Sequence, residues 1–316
     1  MLNWRPVTDR KILQQRAELL SRIRAFFSDR HVLEVETPAL SRAANTDPLI
    51  LSVPASLAGH EYYLHTSPEF AMKRLLAAGS GDIFQICKVF RAGETGRYHN
   101  PEFTLLEWYR LGMDYRVLAD EVVDLIQVVR DTQKELLVET VSYRQLFELY
   151  LDVDVLSSDT RTLKRIAEDR IMGCPEDLEP AAYLDLLLSH CICPQLDSQQ
   201  LTIVYDYPAS QAALARLNPD GVTAARFEVF WGGLELANGF QELQDAEEQR
   251  QRFVADNERR RMQGLAEMPI DENLLAALEA GLPECSGVAL GLDRLLMCMA
   301  AAAGVQEVLA FNIKNS

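Results

Sequence analysis

The sequence predicts an α+β fold in which an antiparallel sheet is flanked by helices. Three observations lead there. Strand-like segments gather toward the two ends of the chain and helical ones fill the middle, an order that favours antiparallel pairing over a βαβ winding. There is no GxGxxG and no GxxxxGK[ST], so neither a Rossmann nor a P-loop nucleotide site is expected. Hydrophobic residues make up 48% of 316 residues, enough to core one large domain or one domain with an insertion.

In chain order, residues 9–30 read as an amphipathic helix. Ile12, Leu13, Ala17, Leu20, Ile23 and Phe27 form its apolar stripe, with Thr8 or Asp9 as cap. Val32 to Val35 reads as a short strand stopped before Thr37-Pro38, because a residue preceding proline is held extended. Tyr62 to His65 is a strand. Ser67-Pro68-Glu69 opens a helix through Ala78, with serine as N-cap, proline at the first position and an acid in the first turn. Asp82 to Arg91 and Glu102 to Leu111 are strands around a polar loop. Residues 115–190 are mostly helical, with breaks near Ser157-Ser158 and Gly173-Cys174-Pro175. Strands return at Leu201–Tyr205, Arg226–Trp231 and Leu234–Ala237. A charged helix covers Asp245 to about Arg261. Gly287 to Leu292 is a strand, followed by a helix and a last short strand near Val308.

Composition excludes several classes. No apolar run reaches bilayer length, and Met-Leu-Asn-Trp-Arg-Pro at the start lacks a signal-peptide core, so a cytoplasmic protein is expected. The six cysteines form no CxxC pair, which reads as reduced structural thiols and not a zinc site. A net charge of −16 disfavours broad nucleic-acid binding. The first thirty residues are locally basic, with seven cations against three acids, which makes the first helix a candidate docking face for an acceptor.

Three constellations carry chemistry. In the first, Phe90 to Phe103, two strands flank a loop that holds Arg91, Arg97 and His99. Guanidinium groups in such a loop are suited to a triphosphate. On the second strand Phe103, Leu105, Glu107 and Tyr109 share one face, an aromatic ring followed by a carboxylate and a phenol. The bland alternative is a charged hairpin.

The second runs from Arg226 to Glu242. Gly232-Gly233 predicts a two-residue hairpin that pairs Trp231 with Leu234, Phe230 with Glu235 and Glu228 with Ala237. Glu228 and Glu235 then become diagonal neighbours on one face, close enough to hold Mg²⁺. Bringing Glu242 to that face needs a kink, expected at Asn238-Gly239. The bland alternative is an acidic edge facing solvent.

In the third, Gly287, Ala289 and Gly291 leave one strand face almost bare, while Val288, Leu290 and Leu292 point the other way. A bare face marks the close approach of a ligand or of another backbone. Arg294 follows at a helix start, within reach of a phosphate; a plain strand-to-helix turn is the alternative.

Together these patterns resemble motif 2, the acidic sheet region and motif 3 of the class II aminoacyl-tRNA synthetases. Residues 16–40, ending Glu36-Thr37-Pro38-Ala39-Leu40, resemble motif 1, the dimer-forming helix and strand. The likeness is strongest to the lysyl branch, through His65-Thr66-Ser67-Pro68-Glu69, His99-Asn100-Pro101-Glu102-Phe103, Asp206-Tyr207-Pro208 and Asn238-Gly239-Phe240-Gln241-Glu242-Leu243. It covers nearly the whole chain and implies one catalytic domain, residues 1–316, with a mostly helical insertion at about 115–195.

The resemblance implies site roles. Arg91 holds the α-phosphate and the reacting carboxylate, and with Arg294 forms the catalytic pair. His99 and Arg294 bind the outer phosphates. Phe103 stacks on adenine. Gly93, Glu94, Asn100, Glu235, Leu236 and Gly291 complete the ATP site. Glu228 and Glu235 carry Mg²⁺. Ser67, Pro68, Glu69, Glu107, Tyr109, Asn238, Glu242 and Ala289 form the amino-acid pocket. Several carboxylates and a phenol suit a ligand with two ammonium groups and disfavour neutral amino acids.

Three departures shape the expectation. The chain begins almost at motif 1, without the OB-fold anticodon-binding domain. Ala289 stands where glycine is usual. Motif 2 reads Arg91-Ala92-Gly93-Glu94, so the usual Arg-x-Glu carboxylate is displaced by one residue. These features resemble the lysyl-synthetase-like ligases that modify a lysine of elongation factor P. That group implies ATP and Mg²⁺ as cofactors, lysine or (R)-β-lysine as substrate, elongation factor P as acceptor instead of tRNA, and a homodimer. Other readings stay open: a minimal synthetase acting on tRNA or making free lysyl-adenylate, an amide-forming paralogue, and a non-catalytic synthetase-like binding protein.

Overall fold

A computed structural model describes residues 4–130, 135–176 and 178–316. The elements in order are α1 (Arg10–Asp29), β1 (Leu33–Glu34), β2 (Leu40–Ser41), β3 (Val53–Leu57), β4 (His60–Leu64), α2 (Glu69–Ala77), β5 (Ile83–Phe90), β6 (Glu102–Leu111), α3 (Tyr115–Val129), β7 (Leu137–Ser142), α4 (Tyr143–Leu151), α5 (Thr160–Arg170), α6 (Pro180–Leu187), β8 (Gln200–Pro208), β9 (Thr223–Trp231), β10 (Leu234–Gln241), α7 (Ala246–Met262), α8 (Glu272–Gly281), β11 (Cys285–Gly291) and α9 (Leu292–Met299). They form two compact units. One comprises residues up to 113, 128–130 and 243–316; the other comprises 114–127 and 131–242.

In the first unit the strands run in the order β1-β5-β6-β11. β1 pairs with β5 in parallel and the other pairings are antiparallel. One face of this sheet is apolar and carries α1: Phe27 stacks on Phe84 at 4.4 Å between ring centres and meets the edge of Trp108 at 5.4 Å. Helix α1 starts where Asp9 accepts a bond from the Ile12 amide, and its buried stripe is Leu19, Ile23, Phe26 and Phe27. A small sheet, β2-β4-β3, lies in the same unit. Helix α2 begins one residue later than the sequence implies. Pro68 takes the cap position, while the Ser67 hydroxyl accepts from the Glu69 amide at 3.2 Å.

The second unit has the strand order β10-β9-β8-β7, antiparallel except for the parallel β7–β8 pair. Tyr143, Phe147, Tyr183 and Leu187 from α4 and α6 pack with Val204, Tyr207 and Phe230 of the sheet into one core.

Some expectations shift. The final strand near Val308 is absent among the described residues. The segment is a tight turn in which the Val308 amide bonds back to the Val305 carbonyl. Strands β2, β3 and β7 escape the sequence reading, because β3 carries Pro54, Ala55 and Ser56 instead of an alternating pattern and β7 is embedded in a helical stretch. Residues 131–134 and 177 of that stretch, and residues 1–3 used to judge a leader, lie outside the described residues. No described helix is long and apolar enough to cross a membrane.

Candidate active site

The first unit builds a charged floor on the sheet face opposite α1. Glu107 of β6 lies across from Gln85 of β5 on one side and Ala289 of β11 on the other. Tyr109 is opposite Gly287, and Leu105 opposite Gly291. Directly opposed residues project to the same face, so the bare face of β11 lies alongside the Phe103–Tyr109 row. The Tyr109 hydroxyl donates to Glu107 Oε1 at 2.6 Å. Glu107 is only 3% exposed, and its charge, after burial, pushes the Cys87 thiol up to about 12. The methyl that distinguishes Ala289 from glycine therefore projects beside the Glu107 carboxylate.

Arg91 continues this face beyond β5, its amide donating to the Pro101 carbonyl. Its guanidinium carbon lies 5.1 Å from the Phe103 ring centre, Nε donates to the Thr66 carbonyl at 3.3 Å, and Nη1 is 3.7 Å from Glu94. Gly93 has φ +79°, a conformation that L side chains seldom adopt, and the turn brings Glu94 back to Arg91 despite the displaced spacing. Arg294 sits in the first turn of α9, with Nη2 2.7 Å from His99 Nε2. As an arginine can only donate, that imidazole nitrogen accepts. The loop is fastened from below: Arg97 Nε donates to the Ala303 carbonyl at 2.6 Å, and a Cβ on Gly304 would stand 3.0 Å from the Arg97 carbonyl oxygen.

Ser67, Pro68 and Glu69 line a cleft of about 100 Å³ together with His65, Thr66, Arg74 and Asp271. Asn100, expected near ATP, is 5% exposed, and its amide group serves the backbone: Nδ2 donates to the Glu102 carbonyl and Oδ1 accepts from the Ile313 amide. Gly291 forms the N-terminal boundary of α9.

The second unit carries the acidic hairpin. Trp231 pairs with Leu234 and Phe230 with Glu235, as the Gly232-Gly233 turn predicts. The expected Glu228–Ala237 pair is not formed. A bulge at Leu236 slips the register, so Ala237 faces Val229 and Asn238 faces Glu228. The kink thus comes two residues before Asn238-Gly239. Its effect is the expected one and more: Glu235, Asn238, Phe240 and, by continued alternation, Glu242 share the face of Glu228. Glu242 is 2% exposed.

Arg226 organises this face. Nη2 donates to Glu228 at 2.5 Å, Nε to Asn238 Oδ1 at 3.3 Å and Nη1 to the Gln211 carbonyl at 2.5 Å. Burial raises the Glu228 carboxyl to about 7 in spite of Arg226, and Glu235 adds to the rise. Glu228 and Glu235 also both act on the buried Cys193 thiol, pushed up to about 12 chiefly by burial. Two carboxylates converging from adjacent strands are a donor set that suits Mg²⁺, which takes one or two carboxylates and completes its shell with phosphate and water. No cluster of three or more metal-binding side chains occurs among the described residues.

Sequence reasoning passed over Lys73, Arg226 and the Arg16–Asp293 pair. Each had a local signal: Lys73 is four residues after Glu69 on a helix, Arg226 is two before Glu228 on a strand, and Asp293 adjoins Arg294. Arg16 lies 2.5 Å from Asp293, which is 2% exposed and also accepts from the Thr104 amide. The basic helix is largely committed to such contacts, since Arg22 bonds the Val129 carbonyl and Arg24 pairs with Glu34.

The profile of the tRNA synthetases class II (D, K and N) matches residues 1–315. The chain belongs to that family. Its relatives include proteins named elongation factor P–(R)-β-lysine ligase. The one from Pectobacterium atrosepticum is 47% identical over 99% of this chain and 98% of its own length. Those from Edwardsiella ictaluri and Klebsiella pneumoniae are 48% and 47% identical, covering 100% and 99% of this chain and 99% and 98% of theirs.

Proposed function

We propose that this protein is an ATP-dependent ligase. It activates (R)-β-lysine, or lysine, as an aminoacyl-adenylate and transfers the aminoacyl group to a lysine side chain of elongation factor P. The observation that carries the reading is the Glu107–Tyr109 pair beside the bare Gly287–Ala289–Gly291 face, continuous with Arg91 and Phe103. That surface offers a carboxylate for an ammonium group, room for backbone-close approach, a cation for the reacting carboxylate and a ring for a base. The relatives' names point to the same substrate and acceptor.

In the first step a carboxylate oxygen attacks the α-phosphorus, the bond to the bridging oxygen breaks and pyrophosphate leaves. Arg91 aligns the two anions and stabilises the charge that builds between them. Arg294 and His99 hold the departing phosphates. Glu228 and Glu235 are the residues that would hold Mg²⁺, which would supply neutralisation of phosphate charge. In the second step the acceptor's neutral ε-amine attacks the carbonyl carbon, AMP leaves and the amine sheds a proton. Glu69, Glu107 and Tyr109 select a substrate with a second ammonium group, since carboxylates left without one repel each other.

We read the helical segment at about 115–195 as an insertion in one catalytic domain acting in the cytoplasm. We also read the chain as a homodimer. Leu33 and Leu40, both exposed in the motif 1 segment, are apolar surface suited to a second copy.

The test is ATP–pyrophosphate exchange with α-lysine and (R)-β-lysine, followed by transfer of labelled amino acid to elongation factor P or to lysine tRNA. Exchange with label on the protein supports the reading. Label on tRNA alone, or no exchange with either amino acid, refutes it.

A further inference from the structure

Lys73 is 1% exposed, in the middle of α2. Lysine is rarely buried to that degree, because its ammonium loses hydration that only a well-placed anion can offset. Here Nζ lies 2.6 Å from Glu69 Oε1, one helical turn earlier. The two ends of this pair face different surroundings. The Lys73 side chain is 2% exposed, whereas that of Glu69 is 15% exposed and forms part of the cleft wall with Ser67 and His65.

An ion pair of this kind is weak evidence for stability, since an apolar side chain of similar volume fills such a position without stripping water from a charge. What it supplies is geometry. A glutamate on a helix has three rotatable bonds and, facing a cleft, would otherwise sample several rotamers. Bonded to a buried ammonium through one oxygen, it presents the other in a fixed direction. The pair also has no net charge, so the carboxylate can stand at the wall in the absence of ligand without strong repulsion from other acids in a pocket for cations.

We infer that Lys73 is a positioning residue for amino-acid recognition: it holds the Glu69 carboxylate from behind so that it meets an ammonium group of the substrate. The inference rests on the proposed function insofar as it takes Glu69 to contact the amino acid. It adds a residue that touches no substrate and sets the affinity for one.

The experiment is calorimetric binding of lysine or (R)-β-lysine, and separately of ATP, to the full-length wild type and to Lys73→Met, Glu69→Gln and the double variant, with a thermal melt of each. Lys73→Met should weaken amino-acid binding tenfold or more and leave ATP binding within about twofold. The double variant should bind the amino acid no more weakly than Glu69→Gln alone, because the contribution of Lys73 to recognition is routed through Glu69. Amino-acid binding unchanged in Lys73→Met, or a further tenfold loss in the double variant, overturns the inference. If Lys73→Met does not fold, the comparison of the double variant with Glu69→Gln decides alone. A wild type that binds neither amino acid refutes the proposed function instead.

Discussion

Replacing Gly233 by alanine tests how the acidic hairpin is held in place. Gly233 has φ +76°, and a Cβ added there would lie 2.0 Å from the Cys193 carbonyl oxygen and 2.7 Å from its carbon. Two costs combine. The left-handed backbone costs an ordinary L residue about 1–2 kcal/mol. The overlap involves backbone, which has no rotamer to escape into, and forced packing of this kind typically adds about 1–3 kcal/mol. The expected loss is about 2–5 kcal/mol for the second unit. Gly221 in the same unit is the control. Its φ is +69° and nothing lies within 4 Å of its added Cβ, so only the backbone cost of about 1–2 kcal/mol applies. Urea unfolding followed by fluorescence of Trp231, two residues before Gly233, reads both variants. Because Glu235 follows two residues later, Gly233→Ala should also lower pyrophosphate exchange at temperatures where the protein remains folded, and Gly221→Ala should not. Equal destabilisation by the two variants would show that the contact with Cys193 does not constrain the hairpin, and the reasoning would fail.

Arg16→Ala leaves Asp293 charged and buried without that partner, so it should destabilise the first unit by about 3–5 kcal/mol. Because Asp293 adjoins Arg294, affinity for ATP, measured on protein still folded at low temperature, should fall as well. His65 is held below its ordinary pKa of 6.5 by burial, though its bond to the Lys88 carbonyl opposes this. Between the folded and the unfolded pKa the unfolded chain binds more protons, so stability rises with pH, is complete above about 6.5 and is lost as pH falls. Urea midpoints of His65→Gln should therefore decline less than wild type between pH 7 and pH 5.5; parallel curves would remove His65 from the acid response. The Cys87 and Cys298 thiols, both pushed up to about 12, stay protonated at pH 8, so a thiol reagent should modify them in denaturant and spare them in the native protein, as peptide mass spectrometry can show.

What the sequence determined by itself is what neighbours along the chain decide. Alternation placed Phe103, Glu107 and Tyr109 on one face, and small residues at Gly287, Ala289 and Gly291 announced a bare one, because side chains on a strand repeat every two residues. Gly232-Gly233 announced a two-residue turn, because few residues accept positive φ twice in succession. Tertiary structure decided what depends on residues far apart. The bulge at Leu236 is a choice of pairing partner that no local pattern encodes, yet it sets which side Asn238 and Glu242 face. Asn100 reads as a polar loop residue in sequence; that its oxygen accepts from the Ile313 amide, more than two hundred residues away, is visible only in the fold. Arg16 read as one cation of a locally basic helix, and the fold meets its charge with Asp293, 277 residues further on. A polar side chain has the same composition whether it faces a substrate, solvent or a buried counterion; only the folded chain supplies the partner that distinguishes them.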